Sequence, residues 1–318
     1  MRVLCTGGAG FIGSHVAEAL IQAAHTVLVF DDLSTGKRTN IPQGAEFVQG
    51  DIRDGKLLHR VFSEFRPEAV THQAAQTSVA VSTREPLRDA EINLLGSLNI
   101  LQQCVQHKVR QLVFASTGGA IYGEVPEGQW ASVNWPPCPL SPYACSKLAA
   151  ETYIHAYAKE YGLRTSVLRY ANVYGPRQDP HGEAGVVAIF AQRILDGEAL
   201  QVNARKELGD EGCVRDYVYV ADVVRTNLLA IAGRLAPPVI NVCTGVPTST
   251  LEVARLLMQA AAVNVTIVPG PRRPGDLLRS VLAKSPDVDP LDSSILGPTV
   301  PLREGLLQTL NSFRRQKP

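Results

Sequence analysis

The sequence lacks the features that would remove it from an ordinary globular class. Its six cysteines (Cys5, Cys104, Cys138, Cys145, Cys213 and Cys243) form no C-x-x-C pair. That spacing excludes a disulfide frame or a cysteine zinc site and predicts reduced thiols in a cytoplasmic protein. The seven histidines show no H-x-x-x-H spacing, so no metal site is expected. Formal net charge is only +1 over 318 residues, which leaves no electrostatic case for nucleic acid or an acidic membrane as a partner. No apolar run is long enough to cross a bilayer, and an apolar strand begins at residue 2, so no signal peptide is expected. Internal repeats and low-complexity tracts are absent. The remaining composition, 45% hydrophobic, supports two compact units with sizeable cores.

Glycine is concentrated where it carries information. Arg2-Val3-Leu4-Cys5-Thr6 reads as a buried strand, and Gly7-Gly8-Ala9-Gly10-Phe11-Ile12-Gly13 follows at once. From Ser14 to Ala24 the apolar residues recur at helical spacing. The glycines fit two registers, G-x-x-G-x-x-G from Gly7 and G-x-G-x-x-G from Gly8. Either register brings backbone N–H groups to a phosphate at a helix N-terminus. The next strand, Thr26 to Phe30, ends in Asp31-Asp32. A carboxylate at Asp31 suits the adenosine ribose hydroxyls and repels a 2′-phosphate, which favours NAD over NADP.

Further strands are expected over Glu46–Gln49, Ala69–Thr71, Gln111–Ala115 and Ser166–Arg169, and helices over Leu87–Gln106 and Pro142–Tyr161. This alternation predicts an α/β fold: a doubly wound, Rossmann-type parallel sheet with ligands beyond the strands' carboxyl ends. From about residue 172 the texture changes. A helix over Val186–Asp196, a polar stretch to Gly212, a strand over Pro237–Asn241 that returns to the sheet and a loop over Pro269–Asp276 are expected. Residues 1–171 are thus a dinucleotide-binding unit, and 172–318 mainly a smaller α/β substrate-binding cap.

Ser141-Pro142-Tyr143-Ala144-Cys145-Ser146-Lys147 opens a helix, with Ser141 as N-cap and Pro142 at the first position. Tyr143 and Lys147 share one face. An ordinary phenol titrates near 10. A nearby ammonium and an oxidised nicotinamide would lower that value and let the phenolate take a proton from a substrate hydroxyl. Leu112 to Thr117 is an apolar strand ending in two hydroxyls, Ser116 and Thr117, either of which suits a hydrogen bond to that proton-transfer group.

Together with Asp51-Ile52, His72-Gln73-Ala74-Ala75, Asn93 and Leu168-Arg169-Tyr170-x-Asn172-x-Tyr174-Gly175-Pro176, these motifs resemble the extended short-chain dehydrogenase/reductase family. Arg215-Asp216-Tyr217-Val218-x-Val220-x-Asp222 and Arg273-Pro274-Gly275-Asp276 are similar to the nucleotide-sugar motifs of its UDP-glucose 4-epimerases. The resemblance implies that Gly7, Gly10, Phe11 and Ile12 contact the NAD pyrophosphate. Asp31, with Asp32 beside it, takes the ribose, and Ser34, Thr35 and Gly36 line the adjoining loop. Asp51 and Ile52 hold adenine, while Gln73, Ala74, Ala75, Asn93, Ser116 and Tyr170 follow the cofactor. Tyr143 is the base, Lys147 its partner and Thr117 the hydroxyl helper. Asn172, Gly185, Val186, Gln201, Asn203, Arg215, Arg273 and Asp276 hold the UDP moiety. Two arginines suit a diphosphate. Ser280, seven residues beyond Arg273, borders the sugar and is small enough to admit an N-acetyl group. A homodimer through the Leu87–Gln106 and Pro142–Tyr161 helices is also implied.

The implied reaction is C4 epimerisation of a UDP-hexose in galactose metabolism, through a 4-keto intermediate. Gly118-Gly119 after Thr117 adds one residue before Tyr122-Gly123, so Ser116 and Thr117 can exchange roles. Dehydratases of the family carry Asp-Glu after the threonine, where glycine stands here, and its decarboxylases carry a Glu where Thr117 stands. Three other readings remain open at this point: a UDP-uronic acid 4-epimerase, a UDP-N-acetylglucosamine 4-epimerase and a catalytically idle NAD-binding relative.

Overall fold

A computed structural model describes residues 1–181, 185–235, 238–273, 275–284 and 297–316. Through residue 170 strands and helices alternate. They are β1 (Arg2–Thr6), α1 (Phe11–Gln22), β2 (Thr26–Asp31), β3 (Glu46–Gln49), α2 (Gly55–Phe65), β4 (Ala69–His72), α3 (Val79–Arg84), α4 (Pro86–Ala90), α5 (Gly96–Gln106), β5 (Gln111–Thr117), α6 (Gly118–Ile121), α7 (Pro142–Tyr161) and β6 (Arg164–Tyr170). After these come β7 (Asn172–Tyr174), α8 (Val186–Asp196), β8 (Leu200–Asn203), β9 (Val214–Tyr219), α9 (Val220–Ile231) and β10 (Val239–Val242). The last elements are β11 (Pro247–Ser249), α10 (Thr250–Ala261), β12 (Ile267–Gly270), β13 (Arg279–Ser280) and α11 (Leu302–Gln316).

The large sheet runs β10-β6-β5-β4-β1-β2-β3, and all its pairs are parallel. Parallel strands buried on both faces need apolar residues on both, and β1 and β2 are buried at every position after the first. One core, including Val3, Val16, Leu20, Val113 and Leu229, covers one face. A second, including Leu4, Phe30, Phe62, Ile100 and Phe114, covers the other. The helices end on local signals. Asp54 caps α2 by accepting from Lys56 N and Leu57 N, and Ser141 caps α7 by accepting from Ala144 N at 3.2 Å. Gly162, at φ +65°, closes α7. Between α4 and α5 the backbone makes one π turn, Glu91–Leu95, so the helical stretch expected from Leu87 is not α-helical throughout.

β9 carries β7, β11 and β13 around it, and β8 pairs with β12. A third core, including Tyr174, Val187, Phe190, Leu257, Leu306 and Phe313, lies beneath α8, α10 and α11. The structure differs from the sequence reading in three boundaries here. α1 begins at Phe11, with Gly10 as its cap, not at Ser14. The polar stretch before Gly212 contains β8, and the loop expected from Pro269 begins as the end of β12. Both strands escape alternation because each is four residues long and pairs across about seventy residues. Pro237, Pro274 and Gly182 lie outside the described residues. Among the described residues no helix is long and apolar enough to cross a membrane.

Candidate active site

In the sheet order β1 lies between β2 and β4, so the chain reverses direction of progress at β1 and leaves a crevice there. Gly7 sits at that crevice with φ +68°, and a Cβ on it would stand 2.5 Å from the Ala74 amide nitrogen. A Cβ on Gly13 would stand 2.1 Å from Gly7 O. Gly10 N donates to Gly7 O at 3.1 Å and starts α1 with no side-chain cap. The first amides of α1 are therefore left for a ligand, and the dipole favours an anion. Of the two glycine registers, Gly7–Gly10–Gly13 makes the turn, while Gly8 is required by Val29, whose methyls would lie 2.9 Å from its Cβ. Phe11 and Ile12 are half-buried in the first turn of α1.

Asp31, at the end of β2, is 6% exposed and braces this turn. Its Oδ2 accepts from Ala9 N and its Oδ1 from Leu33 N, both at 2.9 Å. Burial raises its pKa, and the two amides act against that rise. Asp32 Oδ1 accepts from Ser34 N and Ser34 Oγ, tying the loop through Thr35 and Gly36. A Cβ on Gly36 would come within 2.7 Å of Asp31 Oδ1.

Asp51 follows β3 and is gripped by Arg53 at 2.6 Å, which holds its carboxyl below the usual range. Arg53 also reaches Glu91 at 3.3 Å. These residues line an open groove of about 800 Å³ with Leu95, Leu98 and Asn99. Ile52 is buried against Gly96. Gln73 Nε2 donates to Thr71 Oγ1 and Asn227 Oδ1, and Tyr170 OH donates to Gln73 Oε1, so Gln73 and Tyr170 form one network. Ala75 is half-buried in the same loop. Asn93, on the π turn, is buried and shapes that loop from behind. Its Oδ1 accepts from Gln76 N, and its Nδ2 donates to Gln76 O and Asp89 Oδ1.

The proton-transfer candidates meet above the end of β5. Tyr143 and Thr117 line the same cavity, and the Thr117 hydroxyl draws the phenol toward its anion. Ser116, its neighbour, instead donates to Glu151 Oε1. Of the two hydroxyls whose roles the sequence leaves open, Thr117 lines the cavity with Tyr143 and Ser116 is bonded to Glu151. Lys147 is buried, donates to Ala115 O at 2.8 Å and lies 4.5 Å from the centre of the Phe114 ring. Burial lowers its pKa to about 8, against the raising effect of Glu151 and Asp89. Tyr143 departs from the expectation of a lowered value. Burial pushes it up to about 12, and Thr117 is the one protein group that pulls it back. The physical reason is burial of the phenol, and the Lys147 ammonium is directed to the Ala115 carbonyl on β5.

Thr117, Tyr143, Asn172, Arg215 and Asp276 line one cavity of about 240 Å³, with Gly119, Leu140 and Leu277. These five come from β5, α7, β7, β9 and the segment before β13. Other expected substrate residues lie outside that lining. Asn203, oriented with its oxygen toward the guanidinium, accepts from Arg273 Nε at 2.6 Å, and Gln201 is beside it on β8. Gly185 caps α8 and Val186 opens it. Ser280 is 1% exposed and donates to Gly119 O at 3.1 Å, one layer behind the cavity wall.

Sequence reasoning missed Glu151, Arg169, Asp89 and Leu277. Glu151 had a readable signal: it stands four residues after Lys147 and eight after Tyr143, on the same helical face. Arg169 lies in the Leu168–Pro176 motif but its partner Glu151 is on another element, and Asp89 and Leu277 carry no comparable motif.

A dinucleotide cradle at a switch point, opening toward a buried phenol and ammonium, defines a Rossmann-type nicotinamide-dependent enzyme that moves a proton beside its cofactor. Comparison with known proteins narrows the class. The chain belongs to the NAD dependent epimerase/dehydratase family, whose model matches residues 3–243. It is similar to the Thermus thermophilus UDP-glucose 4-epimerase solved in complex with NAD, at 53% identity and a TM-score of 0.93, covering 99% of this chain and 100% of that one. The Thermotoga maritima UDP-glucose 4-epimerase solved with UDP-glucose is 45% identical, with a TM-score of 0.90 and 99% of each chain covered. The Mycolicibacterium smegmatis UDP-glucose 4-epimerase is 40% identical over 99% of both chains.

Proposed function

We propose that this protein is an NAD-dependent UDP-hexose 4-epimerase. The observation that carries the proposal is the wall of the 240 Å³ cavity, where Thr117 and Tyr143 meet Arg215 and Asp276. Gly118 and Gly119 follow Thr117 in place of the acids a dehydratase needs, and Gly119 lines the cavity. The Gly7–Ala74 contact, too close for any side chain, fits a pyrophosphate drawn against bare backbone. Gly7, Gly10, Phe11 and Ile12 would hold that pyrophosphate, and Asp31, Asp32, Ser34, Thr35 and Gly36 the ribose side. Asp51 and Ile52 would hold adenine; Gln73, Ala74, Ala75, Asn93, Ser116, Tyr143, Lys147 and Tyr170 would follow the nicotinamide half.

When bound, NAD⁺ would supply the hydride acceptor for C4 and a further positive charge beside the phenol. Tyr143 acts as the phenolate, which a hydrogen bond from Thr117 favours, and takes the proton of the 4-hydroxyl as the hydride leaves C4. Lys147, buried and cationic, favours the same anion. The 4-keto sugar would turn in the cavity, the hydride would return to the other face of C4 and Tyr143 would give its proton back, so no external oxidant is consumed. Arg215 and Arg273 would neutralise the diphosphate, with Asn172, Gly185, Val186, Gln201, Asn203 and Asp276 completing the UDP site.

Residues 1–171 with β10 form the NAD-binding unit in this reading, and the rest of 172–318 the substrate-binding unit. A homodimer through α4–α5 and α7 fits the exposed Leu87, Leu95, Tyr153 and Tyr161. A cytoplasmic location fits six free thiols. Small Ser280 behind Gly119 extends the substrate range to the N-acetyl sugars.

The test is a panel of UDP-sugars incubated with purified protein and no added NAD, with the released dinucleotide identified after denaturation. Interconversion of UDP-glucose and UDP-galactose with NAD bound is expected. No epimerised product even after saturation with NAD, or NADP as the bound dinucleotide, rejects the proposal.

A further inference from the structure

Behind the proton-transfer site lies a buried polar chain that, beyond Ser116, the reaction scheme leaves unused. Glu151 and Arg169 form an ion pair at 2.6 Å, each 7% exposed. Arg169 Nε donates to both carboxylate oxygens at 3.1 Å, and its Nη1 donates to Tyr122 OH at 2.8 Å. Tyr122 OH donates onward to Asn241 Oδ1 on β10. The other end of the chain is Ser116, whose hydroxyl donates to Glu151 Oε1. A buried ion pair is a costly way to fill a core, since removing either partner strands a charge. Its position suggests a use: Glu151 lies one helical turn beyond Lys147 and two beyond Tyr143 on α7.

We propose that Glu151 is a positioning residue of the proton-transfer site. Its carboxylate, clamped by Arg169, turns Ser116 away from the cavity so that Thr117 meets Tyr143, and it supplies the counter-charge to Lys147. The proposal rests on reading Tyr143 and Lys147 as the proton-transfer pair.

The charged and titratable groups around Lys147 are few. α7 presents Tyr143 and Glu151, α4 presents Asp89, and β4 presents His72. His72 is neutral, held near 3 by burial and then by Lys147, and it is fixed between Thr6 Oγ1 and Ser97 Oγ. β6 presents Arg169, bound to Glu151. β5 presents the Phe114 ring and the Ala115 carbonyl. Asp89 is already shared among Gln76, Asn93 and Ser146. Glu151 is thus the carboxylate on the same helix face as Lys147.

Glu151→Gln keeps the shape, retains an oxygen for Ser116 and removes the charge. Its kcat should fall tenfold or more at pH 8 while KM changes by less than about twofold, and bound NAD should be retained. The alkaline limb of kcat should move down by about 1–3 pH units, the usual effect of one close opposite charge. The single variant leaves a buried guanidinium unpaired and should melt early. The double variant Glu151→Gln/Arg169→Gln removes that burden. It should regain melting temperature and keep the displaced limb, and it gives the reading if the single variant does not fold. An alkaline limb at the wild-type pH in either variant overturns the proposal, because a purely structural role would leave the limb in place once folding is restored. Tyr143→Phe measured alongside separates the layers. Inactive Tyr143→Phe with a normal Glu151→Gln defeats this proposal alone, whereas active Tyr143→Phe defeats the proton-transfer reading beneath it.

Discussion

Replacing Thr117 with valine removes one hydroxyl and keeps the branched shape. The hydroxyl is the one protein group that draws the Tyr143 phenol back toward its anion, against burial that pushes it up to about 12. A hydrogen bond to a charged group contributes about 1.5–3 kcal/mol, so losing it at the transition state lowers kcat by about 10–150-fold. Ser116→Ala is the matched comparison. Its hydroxyl donates to Glu151, whose carboxylate keeps three contacts from Arg169. The loss should be about 1 kcal/mol of stability and only a few-fold in kcat. The assay is conversion of UDP-galactose to UDP-glucose, coupled to a UDP-glucose dehydrogenase, with melting temperature measured on the same samples. If Ser116→Ala loses as much activity as Thr117→Val, or Thr117→Val turns over like wild type, the assignment of Thr117 to the phenol is wrong.

Four further outcomes follow from the same geometry. Tyr143→Phe deletes only the buried phenolic oxygen, so turnover should drop by about 10²–10⁴-fold with UDP-sugar binding, measured calorimetrically, nearly intact. Lys147 titrates near 8 because burial lowers it; its ammonium is complete well below that pH and is lost above it, so a kcat–pH profile should fall on the alkaline side from about pH 8, and a flat profile to pH 10 would contradict its role. Asp31→Ala should relax the preference for NAD over NADP in a binding titration; an unchanged ratio means the carboxylate does not meet the ribose. Ser280→Tyr, through the Gly119 carbonyl it now bonds, should push the cavity wall inward and suppress UDP-N-acetylglucosamine turnover while sparing UDP-galactose; equal handling of both sugars removes Ser280 as the gate.

The parts legible in sequence were those set by neighbours in the chain. β1, the glycine turn, Asp31 and α7 each declare themselves within about twenty residues, through an apolar run, a missing Cβ, a capping serine or a helical spacing. The Tyr143–Lys147 pair was legible for the same reason. The orientation of Ser116 against Thr117 was not, because two adjacent hydroxyls at a strand end are sorted by what packs over them, and Glu151 arrives from another element. Nor was the packing of Asn93, whose amide is matched to Gln76 and Asp89 through a π turn that local periodicity does not reveal. The small sheets around β9 and β8 were missed because strands of two to six residues pair with partners distant in sequence. α2 is legible by the same rule of neighbours in the chain, since it buries Leu58, Val61, Phe62 and Phe65 at ordinary helical spacing.

Asp31 has an implication for redesign. Its two oxygens hold the amides of Ala9 and Leu33, and its carboxylate touches the space where a side chain on Gly36 would go. The residue that would sort NAD from NADP is therefore also a strut of the cofactor's own cradle. An engineer who removes its charge to admit a phosphorylated cofactor also loosens the turn meant to grip it. A successful swap needs a neutral replacement that still accepts from both amides, with the cation for the added phosphate supplied from a different position.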